Sequence, residues 1–177
     1  MSSLLFLLML AAEPDLETLV ERFYLGAKVT VSESCLHADQ EAWQQSLKSC
    51  SDAACLKRAR LERLAALQAL QESVPKDLDL PEVPQLLWAA GEPRSGGTPL
   101  RIEGRLEYRG GYYLRADDGK STLLADDLSL RGASAEQLRE IRNESRGARL
   151  MARGTASRDA SRPGFEAGNC VFLYVLP

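Results

Sequence analysis

Histidine is nearly absent from the chain: His37 stands alone among 177 residues. Any Ser-His or Cys-His nucleophile would have to use that one imidazole. Cys35 lies two residues before it, but a lone histidine beside a structural cysteine is the expected reading, so no catalytic residue is assigned. The acid pairs Asp117-Asp118 and Asp126-Asp127 are no substitute. Neighbouring residues on a strand point to opposite faces, so neither pair can work as a facing acid and base. A phosphate-cradling glycine loop is also missing, because Gly110-Gly111 joins two strands and no helix follows it. The sequence therefore predicts no enzyme and no cofactor.

Strong charge of either sign is lacking too. The net charge is −3, and neither half is basic enough for a nucleic-acid binder. No apolar run is long enough to cross a membrane. Leu4 to Ala12 would span only about 14 Å as a helix, less than half a bilayer core. That length fits the apolar region of a secretory signal peptide, residues 1–12, with Ala11 and Ala12 at the cut. Met1-Ser2-Ser3 carries no base and Leu10 sits three before the cut, so an N-terminal core helix is the alternative. The signal peptide implies a periplasmic or secreted protein with no transmembrane segment.

Four cysteines are present: Cys35, Cys50, Cys55 and Cys170. Outside the cytoplasm an even count suggests two disulfides, with three connectivities open. Cys50 and Cys55 flank a helix break at Ser51-Asp52, so a short loop can pair them and leave Cys35 for Cys170. The competing reading is a zinc site of Cys35, His37, Cys50 and Cys55. The single residue between Cys35 and His37 is poor spacing for common zinc folds, and no metal is assigned.

Apolar periodicity divides the chain. Leu16, Leu19, Val20 and Phe23 mark one face of a helix after Pro14. Lys28 to Ser32 reads as a brief strand, and Glu41 to Lys48 as a helix. Ser51 caps a further helix from Asp52 to about Glu72, with Leu61, Leu64 and Leu67 as its stripe. Residues 13–74 thus form a helical, cysteine-containing domain built on a helical hairpin. Residues 75–99 hold five of the eight prolines and form a linker in which Leu86-Leu87-Trp88 is expected to pack onto a domain.

In residues 100–177 the alternation is strict. Leu100, Ile102, Gly104, Leu106 and Tyr108 interleave with Arg101, Glu103, Arg105, Glu107 and Arg109, the pattern of a half-buried strand. Gly110-Gly111 and Asp118-Gly119 turn the chain into strands at 112–116 and 121–125. Ser134 and Gln137 suggest a capping box, and Gly147 a helix end. Leu150 to Gly154 and Cys170 to Leu176 supply two more strands. The fold class is α+β: a disulfide-linked helical hairpin followed by a small five-stranded β-barrel with one helix. The order of elements resembles the OB-fold, with Gly104 where its long first strand bends.

That resemblance puts a binding face on the second and third strands and their flanking loops, here Tyr113, Arg115, Arg158 and Arg162. They suit an anion, an oligosaccharide or a protein. Charge is split between the halves. Residues 13–92 carry eight Lys and Arg against fourteen Asp and Glu, a net of −6. Residues 93–177 carry fourteen against eleven, a net of +3, with arginine at every basic position but Lys120. Two solvated surfaces would account for this; an acidic half suited to a basic protein partner is the sharper reading.

Residues 41–67 read EAWQQSLKSCSDAACLKRARLERLAAL. Trp43, Cys50, Asp52, Cys55, Leu56, Arg63 and Leu64 resemble the second half of the bacterial lysozyme-inhibitor N-terminal-domain family. Only Cys35 precedes the tryptophan, where that family usually has two cysteines, and its tyrosine after Cys-Leu is replaced near Ala59-Arg60. The resemblance implies an exported, disulfide-held helical domain and supports the Cys50–Cys55 pair. It also implies a partner, a basic cell-wall hydrolase or another envelope protein, met through acidic residues such as Glu41, Asp52 and Glu62.

Overall fold

The structure, a computed structural model, describes residues 15–27, 31–127, 130 and 133–177. The expected signal peptide and most of the brief strand at Lys28–Ser32 lie outside them. The class is α+β: helices α1 (Leu16–Ala27), α2 (Glu33–Leu47), α3 (Ala53–Leu67) and α4 (Ala133–Glu144), with a six-stranded antiparallel sheet. Its strands are β1 (Gln85–Ala90), β2 (Pro99–Tyr108), β3 (Gly111–Arg115), β4 (Ser121–Asp126), β5 (Leu150–Thr155) and β6 (Val171–Val175). They are ordered β1-β6-β5-β2-β3-β4.

The first three helices begin where side chains satisfy free N–H groups. Asp15 accepts from the Glu17 N–H at 3.1 Å and the Thr18 hydroxyl at 2.6 Å. These bonds hold its carboxyl below the usual range, with the Thr18 bond the largest cause. Ser32 caps α2 through the Cys35 N–H, so this helix starts eight residues before the expected Glu41 and Ser32 is no strand residue. Asp52, not Ser51, caps α3 by accepting from the Cys55 N–H at 2.8 Å. That helix ends at Leu67 and tightens into a 3₁₀ turn over Gln68–Leu70, short of Glu72. The helical half therefore has three helices, α1 followed by the disulfide-linked pair α2 and α3. Helix α4 starts at Ala133, which places Ser134 inside its first turn rather than at a cap.

The sheet has six strands where five were expected, because Gln85–Ala90 of the expected linker is β1 and pairs with β6. Strand β2 serves two partners. Pro99 to Gly104 pairs with β5, and Arg105 to Tyr108 with β3. Gly104 is the hinge between them: a Cβ there would sit 2.4 Å from the Arg115 carbonyl oxygen. The far edge of β4 is covered by the loop before β6, since Leu123 N–H donates to Pro163 O and Phe165 N–H to Leu123 O.

Two apolar cores meet at this sheet. One face of β1, β6 and β5 gives Leu86, Tyr174 and Met151 to a core with Leu19, Val20, Phe23, Leu36, Leu64 and Leu67 of the helices. The opposite face gives Trp88, Leu173, Leu150 and Ala152 to a second core with Tyr112, Leu114, Leu124, Phe165 and Leu138 of α4. Disulfides join Cys35 of α2 to Cys170 beside β6, and Cys50 to Cys55 across the α2–α3 turn. All four sulfurs are thereby engaged, so the zinc set of Cys35, His37, Cys50 and Cys55 does not exist in this pairing.

Candidate functional site: an acidic groove on the helical layer

Helix α1 presents two stripes. Leu19, Val20 and Phe23 turn into the core, while Glu17, Glu21 and Tyr24, at helical spacing beside Val20, line a groove against α2. Helix α2 answers with His37, Gln40, Glu41 and Gln44, again at i, i+3, i+4 and i+7. Trp43 and Leu47 add apolar wall and Arg60 of α3 closes one side, enclosing about 380 Å³.

Three glutamates face one arginine in this groove. Glu17 pairs with Arg60 at 2.8 Å, and Glu41 lies 3.4 Å from His37 Nε2. The Tyr24 hydroxyl meets His37 Nδ1 at 3.1 Å, which fixes the imidazole plane across the groove. Glu21 is exposed and has no hydrogen bond or ion pair among the described residues. An unanswered carboxylate beside an indole and a phenol suits a cationic side chain, whose charge meets the acid and whose stem covers the rings.

The floor beneath is tied by buried polar contacts. Arg63 of α3 is only 8% exposed and donates to Gln40 Oε1 at 3.0 Å and Asp39 Oδ2 at 2.6 Å. Its guanidinium also lies 5.7 Å from the Trp43 ring centre. Asp39 accepts a second bond from Arg153 of β5, whose Nε donates to the Tyr174 hydroxyl at 2.7 Å. The helices and the sheet are thus tied by charge as well as by apolar packing.

The residues expected at the outer sheet face are placed differently. Tyr113 is half-buried and Arg115 exposed, on the face of β3 opposite the buried Tyr112 and Leu114. Arg115 is already answered by Glu107 at 3.3 Å and lines a cleft with Arg105, Ala116, Asp117 and Gly119. Arg158 and Arg162 do not line that cleft. Their backbone N–H groups instead stabilise their own loop, donating to Glu166 Oε2 and Asp159 O.

Sequence reasoning found Glu41 and Trp43 but missed Glu17, Glu21, Tyr24 and Gln44. The signal available was the second, polar stripe of α1, which acquires meaning only once α2 is known to lie against it. Among the described residues no cluster of His, Cys, Asp and Glu is arranged to hold a metal ion. No family model, curated protein or solved structure matches the chain.

Proposed function

We propose that the protein acts by binding in the cell envelope, receiving a basic side chain of a partner protein in the α1–α2 groove. The observation that carries this reading is the unanswered Glu21 carboxylate beside Trp43, Tyr24 and Glu41. Two disulfides are the mark of a compartment outside the reducing cytoplasm. Among the described residues no helix is long and apolar enough to cross a membrane. The finer assignment, periplasmic or secreted, rests on the apolar N-terminal run.

The partner class we favour is a basic muramidase, in keeping with the resemblance of residues 41–67 to the lysozyme-inhibitor N-terminal-domain family. An acidic surface raises the encounter rate with a basic enzyme, and a docked body then obstructs the carboxylate cleft. The sheet half supports an OB-like reading through the shared strand β2 and the helix between β4 and β5. A ligand face at Tyr113, Arg115, Arg158 and Arg162 gains less support, since Glu107 occupies Arg115 and the loop arginines line no common cleft with it.

The test is calorimetric titration of a c-type lysozyme into the full chain at low and physiological salt, with muramidase activity read in parallel. Glu21→Lys with Glu41→Lys should weaken binding by about tenfold or more and flatten the salt dependence. Asp52 is a poor choice for reversal, because its carboxylate caps α3. No binding by the native chain, or equal affinity in the double variant, would sink the proposal.

A further inference from the structure

A second groove lies on the other side of α2, between that helix and the sheet, and encloses about 550 Å³. Its walls combine apolar surface with guanidinium groups: Ala42, Leu100 and Phe172 on one hand, Arg94, Arg101 and Arg153 on the other. Charge within it is unbalanced. Arg101 is answered by Glu103 at 2.8 Å, but Glu103 serves Arg149 as well. Among the described residues the only carboxylate lining the groove is Asp39, which is 9% exposed and already accepts from both Arg63 and Arg153. Below the groove floor Asp39 alone is shared by two arginines, and Arg63 Nη2 is buried without a hydrogen-bond partner among the described residues.

Two guanidiniums have donors to spare. Arg153 is held by four contacts: Asp39, the Tyr174 hydroxyl, and the Phe172 and Tyr174 rings, whose centres lie 5.0 Å and 5.2 Å from its Cζ. Those contacts use Nε and Nη2 and leave Nη1 without a hydrogen bond among the described residues. Arg94 is fixed through its backbone, whose N–H donates to Oδ1 of the buried Asn169 at 3.2 Å. Its guanidinium makes no hydrogen bond or ion pair among the described residues. Arg153, already held in place, loses little freedom on binding, and the free guanidinium of Arg94 can match a carboxylate in a planar, two-point fashion.

We infer that this groove binds a small amphipathic carboxylate, with its head on Arg94 and Arg153 and its apolar body along Leu100, Ala42 and Phe172. The volume falls in the range of about 300–1,000 Å³ usual for small-molecule sites. A sugar would leave the apolar walls unused, and an uncharged hydrocarbon would leave the arginines unanswered. The site is separate from the acidic groove, which shares none of its lining residues.

The experiment titrates sodium decanoate, below its micelle concentration, into the full disulfide-bonded chain by calorimetry, with decanol as the uncharged control. One-to-one saturable binding is expected, and decanol should bind about tenfold more weakly for want of the charge-assisted bonds. Arg94→Glu, at an exposed side chain with no partner to lose, should weaken decanoate by at least about tenfold. Ala42→Trp, on the exposed side of α2, should fill the groove and abolish binding of both. Absence of saturable binding by the native chain would overturn the inference. So would decanoate affinity that neither Arg94→Glu nor Ala42→Trp changes, or equal affinity for decanol.

Discussion

Asp39 is the residue on which most of the buried charge depends. It sits on α2, is 9% exposed, and holds one arginine from α3 and one from β5. Taking charges out of water is costly, so removing the shared partner of two guanidiniums leaves an uncompensated buried cation. Asp39→Ala should therefore destabilise the protein by about 3–5 kcal/mol, read as a lower midpoint in urea unfolding. A loss below about 1 kcal/mol would mean that water or rearrangement replaces the carboxylate, as at exposed pairs. Tyr174, on the same network, gives a second test. Burial raises its phenol to about 12, opposed by the neighbouring Arg153. The folded state favours the neutral phenol, so its contribution is fully present below the unfolded value of about 10. It fades as pH rises from there through about 12, because the unfolded chain ionises first. Absorbance titration of the tyrosines should show a late phase near 12 that Tyr174→Phe removes. Complete tyrosine ionisation near 10 would contradict the burial.

Among the elements, β2 organises the sheet by changing partners at Gly104. The Arg115 carbonyl oxygen lies 2.4 Å from where a Cβ would stand, and backbone cannot move aside as a flexible side chain can. Gly104→Ala should cost about 1–3 kcal/mol, the usual penalty for overpacking, measured by thermal or urea unfolding. A neutral outcome would show that β2 and β3 can part at the hinge. This strand was legible in the sequence because one face is apolar and the other a ladder of opposite charges. Gly110 and Gly119 were legible as turns for a related reason: both adopt positive φ, 68° and 83°, where glycine is at ease. Strand β1 was not, because its apolar run lies among prolines and buries residues on both faces, Leu86 toward the helices and Trp88 toward the second core. The same double burial hid the role of Met151 in β5. The first half of α2 was missed because its buried face is Cys35, Leu36 and Gln40, a set with little apolar periodicity. Of the candidate groove, Glu41 and Trp43 could be read locally. Glu21 could not, since nothing in α1 alone says which polar residue will face another helix.

For the whole molecule, the question is how firmly the helical layer is joined to the sheet, and the two disulfides differ in what they contribute. Cys35–Cys170 closes a loop with a sequence separation of 135, whereas Cys50–Cys55 spans 5. Restricting the unfolded chain over the long loop is worth about 5 kcal/mol in the loop-entropy model, against about 2 kcal/mol for the short one. Accessibility runs in the same sense. Cys35 is fully buried on the inner side of α2, whereas Cys170, Cys50 and Cys55 are all half-buried, so a reductant can reach two sulfurs of the short bridge and one of the long. Thiol–disulfide exchange needs attack on a reachable sulfur, so the short bridge should open first. In graded dithiothreitol, alkylation followed by peptide mass mapping should label Cys50 and Cys55 while Cys35 and Cys170 remain protected. The partly reduced species should keep the near-ultraviolet signal of Trp88, which lies in the core between the sheet and α4, away from that turn. Cys35 and Cys170 should become labelled only under conditions that separate the helices from the sheet. Replacing that pair by alanine should lower stability by more than twice as much as replacing Cys50 and Cys55. If Cys35 and Cys170 were labelled first, the helical layer would be detaching from β5 and β6 before unfolding. The Asp39 network and the shared apolar core would then be too weak to hold the halves together without their bridge.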